Sequence, residues 1–290
     1  MKLKQTTFAT LALFIAFNAA ASETLVTRIH DVIAPESGET SYRIFSTVDG
    51  RVYDLNAIRA ESVREVEWAK ETGTPLTLVI ENDEVLEAST STEKDLSALE
   101  EDVDGIHSLW TADRLNASYA PTRLNSWAEA TELFEQLEWV RPKSQCYQRA
   151  MLWTHQMYSD RGIHSMKVFL FFTRKYIREY NYKWWFHVTP YVLVGDEEAT
   201  LDRTFTDGPM KMHPWTNEFM EGAPLCPTVE TYDGYANHQE EAYCYLRKVP
   251  MYYYQPVHIE EADRTGVPIT NFRSGDLAHA RRGRCGLFCF

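Results

Sequence analysis

Three residues carry groups able to do covalent chemistry: Cys146, His187 and Asp202. Cys146 follows Ser144-Gln145 at the expected start of a helix, with Ser144 as the N-cap, so the thiol falls in the first turn. Backbone N–H groups and the positive end of the helix dipole favour an anion there, which stabilises a thiolate. The same N–H groups, that of Cys146 first, are placed to hold an oxyanion. His187 stands in the run Trp184-Trp185-Phe186-His187-Val188, whose apolar side chains would keep the imidazole in a dry, defined place. Asp202 begins the strand that returns from the turn Gly195-Asp196-Glu197-Glu198, so a hairpin would bring it back beside His187. A cysteine, an imidazole base and an orienting carboxylate are the parts of a thiol triad, whose work is attack on an acyl or amide carbon. Each residue alone has a plainer reading: a core cysteine, a packed histidine, an aspartate paired at the surface with Arg203. Together they point to one mechanism.

The elements that must position this set can be read from periodicity. Residues 22–88 read as a small α+β N-terminal domain. Strands are expected at 24–29, 42–47, 51–55 and 76–80, a helix at 57–70, and a hairpin turn at Val48-Asp49-Gly50. Residues 89–115 form an acidic linker rich in Ser and Thr. The second unit, 116–290, opens with a helix capped by Thr122 that carries Leu124, Trp127, Phe134 and Leu137. The Cys146 helix follows, ending near Tyr158 before Asp160-Arg161-Gly162. Strands come next: the apolar run 166–173, then 183–194 with Pro190 marking a bulge or an edge. Further strands are expected at 243–246 and 251–254, and Pro214-Trp215 begins a short helix. The class is α+β, with helices packed on an antiparallel sheet.

The first 21 residues read as a secretory signal peptide: Lys2 and Lys4, the apolar stretch Phe8–Phe17, then Asn18-Ala19-Ala20-Ala21. A secreted or periplasmic protein is expected, and in that setting cysteines usually pair. There are five, so one is left over. The simplest partition bridges the last four, Cys226 with Cys244 and Cys285 with Cys289, and leaves Cys146 free; three pairings of the four are formally open. The formal net charge of −13 argues against nucleic acid as a partner, and no apolar run beyond the leader is long enough to cross a membrane. His155, His164 and His213 show no metal-ligand spacing and no glycine-rich phosphate loop occurs, so no metal or cofactor is expected.

Several short motifs resemble the bacterial secreted protein-glutaminases, or protein-glutamine deamidases. They are Cys146-Tyr147-Gln148-Arg149-Ala150; Trp185-Phe186-His187-Val188; Leu201-Asp202 with Phe205 and Asp207-Gly208-Pro209; Trp215; and the tail Cys285-Gly286-Leu287-Phe288-Cys289-Phe290. The resemblance covers about 116–290 and implies a transglutaminase/papain-like core. It also implies Cys146 as nucleophile, His187 as acid and base, and Asp202 as its orienter. An N-terminal pro-region that covers the active site as an intramolecular inhibitor is implied as well. The expected reaction is deamidation of glutamine side chains in proteins or peptides, through a thioester on Cys146, with release of ammonia. Trp184, Trp185 and Phe186 would wall the glutamine stem; ordinary core packing is the rival reading of these three. The rival functions are a transglutaminase, a papain-like peptidase, and a secreted binding module with a structural free thiol.

Overall fold

The structure, a computed structural model, describes residues 22–92, 95, 119–140 and 145–285. The leader, most of the acidic linker, Ser144 and Cys289 lie outside the described residues, as does the side chain of Cys285. The described chain is a mixed α+β protein built on two sheets.

The first sheet uses β1 (Glu23–Thr27), β2 (Ile29–Ile33), β3 (Ser41–Ser46), β4 (Val52–Asn56), β5 (Leu76–Glu81) and β6 (Glu84–Thr90). Its order is β1-β5-β6-β4-β3-β2, with β4 and β6 parallel and the other neighbours antiparallel. Burial alternates along β5: Leu76, Leu78 and Ile80 face inward. They meet Val63, Val66 and Ala69 of helix α1 (Ala60–Thr72), which ends at Gly73 in the left-handed conformation, φ 70°. Strand β6 adds to the expected strands, its last two residues falling where the linker was expected to begin. Asn82 and Asp83 both take positive φ, 52° and 65°, and these two residue types tolerate that tight hairpin turn, which folds the acidic stretch back onto β5.

The second sheet uses β7 (Arg123–Leu124), β8 (Met166–Phe172), β9 (Phe186–Val194), β10 (Glu197–Thr200), β11 (Met210–Lys211) and β12 (Cys244–Pro250). Its order is β11-β10-β9-β8-β12, with β7 added in parallel at the end of β9. The helices are α2 (Trp127–Gln136), α3 (Cys146–Arg161), α4 (Arg174–Tyr180), α5 (Met212–Asn217), α6 (Tyr232–Ala236), α7 (Pro256–Thr265) and α8 (Ser274–Cys285). Every residue of β8 after Met166 is buried, as a strand covered on both faces must be. Helix α3 lies across β9, and α8 packs on α3. A disulfide joins Cys226 to Cys244 at the start of β12.

Four local expectations are corrected. The cap of α2 is Ser126, whose side chain accepts from the Glu129 N–H at 3.2 Å; Thr122 instead precedes the short strand β7. Residues 251–254 are not a strand, because β12 ends at Pro250 and the chain turns, burying Met251 and three tyrosines. Helices α7 and α8 follow them, so helices do not come only before the sheet. Pro190 makes neither a bulge nor an edge. It lies inside β9 with no register shift, and its carbonyl accepts from the Leu201 N–H at 2.9 Å. Its nitrogen, which has no hydrogen to donate, lies just past the end of the β9–β10 ladder at Tyr191↔Thr200.

Candidate active site

The cap of the Cys146 helix falls one residue later than expected. Gln145 is the N-cap of α3, in an extended conformation, and its N–H donates to the Gln148 side-chain oxygen at 3.1 Å. Cys146 is therefore the first helical residue, where the helix leaves its opening N–H groups without intrahelical acceptors. The thiol is free and only 4 % exposed. His187 is the second residue of β9, 7 % exposed, and α3 packs over that strand. Asp202 lies two residues past β10 and is 1 % exposed.

The structure brings these three together. His187 Nε2 is 2.6 Å from Asp202 Oδ2, and the Cys146 side chain is near enough to the same ring to favour its protonated form. Burial works against an imidazolium here. The charge and hydrogen bond of Asp202, with those of Cys146, outweigh it and raise His187 to about 9. The imidazole is therefore held protonated through neutral pH, which is the state that pairs with a thiolate and can hand a proton to a leaving group.

The surrounding shell was not legible as such. Trp215 of α5 donates its indole N–H to Asp202 Oδ2 at 3.1 Å, so the carboxylate is fixed from two sides. The ring of Phe219 lies 4.2 Å from His187 and that of Phe205 meets it edge-on at 5.3 Å. Tyr182 is close enough for its phenol to feel the Cys146 charge. Trp215 was visible in the sequence only as a motif residue; the burial of its indole against Asp202 needs the α5 turn to be seen.

The three aromatic residues expected as a substrate wall all meet the first unit, Trp184 half-buried and the other two buried. The Arg51 guanidinium lies 5.5 Å above the Trp184 ring. Trp185 is buried and stacks on His30 at 4.2 Å; its N–H donates to Gly50 O at 3.1 Å and its indole to Ser46 O at 2.9 Å. Phe186 is buried against Gly50, whose φ is 71° and where an added Cβ would meet the ring at 2.7 Å. The Val52 N–H donates to Lys183 O at 3.0 Å, and the Tyr147 hydroxyl donates to Val48 O. The turn 48–50 thus touches the chain neighbours of both Cys146 and His187. Ile33, Phe45 and Val52 share one buried cluster with Cys146, Tyr147, Trp185 and Phe186.

Ion pairs edge this contact. Asp31 takes Arg174 through two bonds of 2.6 and 2.7 Å and Lys70 at 2.5 Å, Asp54 takes Lys183 at 2.7 Å, and Glu36 meets Arg178 at 3.1 Å. Cys226 and Cys244, bonded to each other, lie in the loop before β12 and at its start. Among the described residues no group of three or more His, Cys, Asp or Glu side chains is gathered as a metal site, and no helix is long and apolar enough to cross a membrane.

Comparison with known proteins gives the same neighbourhood. No curated protein matches the chain. Among solved structures, a crystal structure of pro-protein-glutaminase aligns with a TM-score of 0.50 at 12 % identity, over 79 % of this chain and 83 % of that one. The A47Q2 mutant of pro-protein-glutaminase aligns with a TM-score of 0.51, at the same identity and coverage. Residues 118–219, which hold Cys146, His187, Asp202 and Trp215, match the family model described as Glutaminase, so the resemblance to that family read from the sequence falls on the segment that builds this site.

Proposed function

We propose that the protein is an exported cysteine hydrolase that converts glutamine side chains in proteins or peptides to glutamate. The observation that carries this reading is the buried Cys146–His187–Asp202 arrangement at a helix start, inside the segment that matches the Glutaminase model. The Cys146 thiolate attacks the carboxamide carbon, and the carbonyl electron pair moves to oxygen. N–H groups at the start of α3 hold that oxyanion, each such donor contributing roughly 3 kcal/mol. His187 gives its proton to the nitrogen, the C–N bond breaks and ammonia leaves. Water then attacks the thioester while His187 takes its proton, and the C–S bond breaks to release glutamate. Trp184, Trp185 and Phe186 flank the glutamine stem once the first sheet is withdrawn. A glutamine peptide supplied with a labelled primary amine tests the reading against its nearest rival. Ammonia without incorporated amine is expected; incorporated amine would instead mean a transglutaminase, and new peptide termini a peptidase.

In the same reading residues 22–88 are a pro-region and the acidic segment 89–115 is where a protease releases it. The fold match to pro-protein-glutaminase, spanning 79 % of the chain, supports this, as do the contacts of the first unit with Tyr147, Trp185 and Phe186. A cut in the linker leaves the docking contacts intact, so the cut chain remains inhibited at high concentration and gains activity on dilution. An increase of about 10²-fold over the uncut chain is expected, since only the open fraction can turn over. Equal activity before and after cutting and dilution would leave an accessory domain, not an inhibitor.

Docking of the first sheet weakens in acid. His30 is held between Trp185 and the Tyr232 hydroxyl, with Asp31, Lys70 and Arg174 around it. Burial lowers it to about 4, the Lys70 and Arg174 charges adding to the effect and Asp31 opposing it. Asp31 is lowered as well: burial raises it, but Lys70 and Arg174 outweigh burial. A buried neutral histidine contributes docking stability above its free value near 6.5 that is lost as pH falls toward 4, and a depressed carboxylate loses its share below that. Hydrogen exchange at the Trp185 N–H, corrected for intrinsic rate, checks this. Its protection drops between pH 6.5 and 4 in the native chain, and a His30→Phe variant shows a smaller drop over the upper part of that range.

A further inference from the structure

Arg149 is a buried charge that the reaction just described does not use. It lies three residues after Cys146 on α3, so the two side chains share a helix face. It is 2 % exposed. Its guanidinium sits 5.1 Å from the centre of the Phe205 ring, and that same ring meets His187 edge-on. Its charge acts on Cys146 and on Asp202. Asp202 has one oxygen engaged by His187 and Trp215, while Oδ1 is buried with no hydrogen bond.

Once the Cys146 thiolate forms, the three groups of the site no longer balance in charge. A thiolate, an imidazolium and a carboxylate sum to one negative charge, and burying an uncompensated charge is costly. The guanidinium on the same helix face offsets that negative charge. Arginine suits the position because it stays protonated when buried and its flat face lies on an aromatic ring. We propose that Arg149 is a positioning residue for this site: its guanidinium, held against Phe205, balances the Cys146–His187–Asp202 set and thereby keeps the thiolate–imidazolium pair as the resting state. This rests on the reading of Cys146 as the nucleophile, but not on what it attacks.

The test needs no turnover. In the full chain, the rate of Cys146 alkylation by iodoacetamide is followed from about pH 5 to 9 on the peptide that carries it, with folding checked by near-UV circular dichroism. In Arg149→Gln the rise of the profile moves up by about one pH unit, about tenfold slower alkylation at the native midpoint. Arg149→Lys returns the profile most of the way, since it restores the charge. A folded Arg149→Gln chain with the native profile overturns the proposal, because a purely structural role would change stability and leave the profile in place. Should Arg149→Gln not fold, Phe205→Leu decides: it frees the guanidinium without deleting it, and an upward move supports the proposal while an unmoved profile overturns it. A shifted profile in a chain that never releases ammonia would retain this inference and remove the deamidase reading; ammonia release with an unmoved profile would do the reverse.

Discussion

Cys146→Ala abolishes ammonia release from a glutamine-containing protein, a loss of about 10⁵-fold or more, while the chain stays folded. The size follows from what the sulfur does: without it there is no thioester and no two-step path, and the oxyanion donors alone retain little. The fold should tolerate the change. Cys146 sits at the first helical position, where alanine is acceptable, and the residue pairs with no other cysteine. The expected destabilisation is about 1 kcal/mol, readable as a few degrees in melting temperature. Comparing ammonia release and melting in the same preparation separates the readings. A binding module with a structural thiol would show the small melting change and nothing else.

Asp202→Asn lowers kcat by about 10⁴-fold, with substrate affinity far less affected. Asparagine keeps the shape but removes the charge that holds His187 protonated. Burial, the largest influence on that ring, then acts with only Cys146 against it, and the imidazolium is lost at neutral pH. The same change has a stability signature. A histidine raised from 6.5 to about 9 contributes stability that is complete below 6.5 and lost as pH rises through 9. The native chain should therefore melt lower as pH is taken from 6.5 to 9, and Asp202→Asn should be nearly flat over that interval. Parallel curves for the two proteins would mean that the 2.6 Å contact does not carry the charge assigned to it.

The grouping of Cys146, His187 and Asp202 was legible because each sits on a strong local signal. A cysteine before an apolar helix, a histidine after two tryptophans and an aspartate past a Gly-Asp turn can be placed by period and turn chemistry alone. The α+β class followed from the same signals, and Cys226 and Cys244 fell close enough in sequence to suggest the bridge that the structure contains. Other features were hidden for identifiable reasons. Strand β6 was missed because its outward residues are acidic or polar, although Asn82-Asp83 was a readable hairpin turn. Tyr252-Tyr253-Tyr254 has strand composition but follows Pro250, and tertiary packing buried it as a turn. The contact between Val48-Asp49-Gly50 and residues 183–187 joins segments more than a hundred residues apart, and no local pattern reports it. Arg149 was in view within a motif, yet its value depends on Phe205 and on the unbonded Asp202 oxygen, which only the fold supplies.

The central claim is that this sulfur, steered by that imidazole, turns glutamine into glutamate. Intact-mass analysis of a glutamine-rich protein, incubated with the cut and diluted chain, tests it most directly. The account predicts a mass gain of about one dalton per converted site, matched by ammonia and absent with Cys146→Ala. A substrate whose mass is unchanged, or whose gain persists with Cys146→Ala, would contradict it.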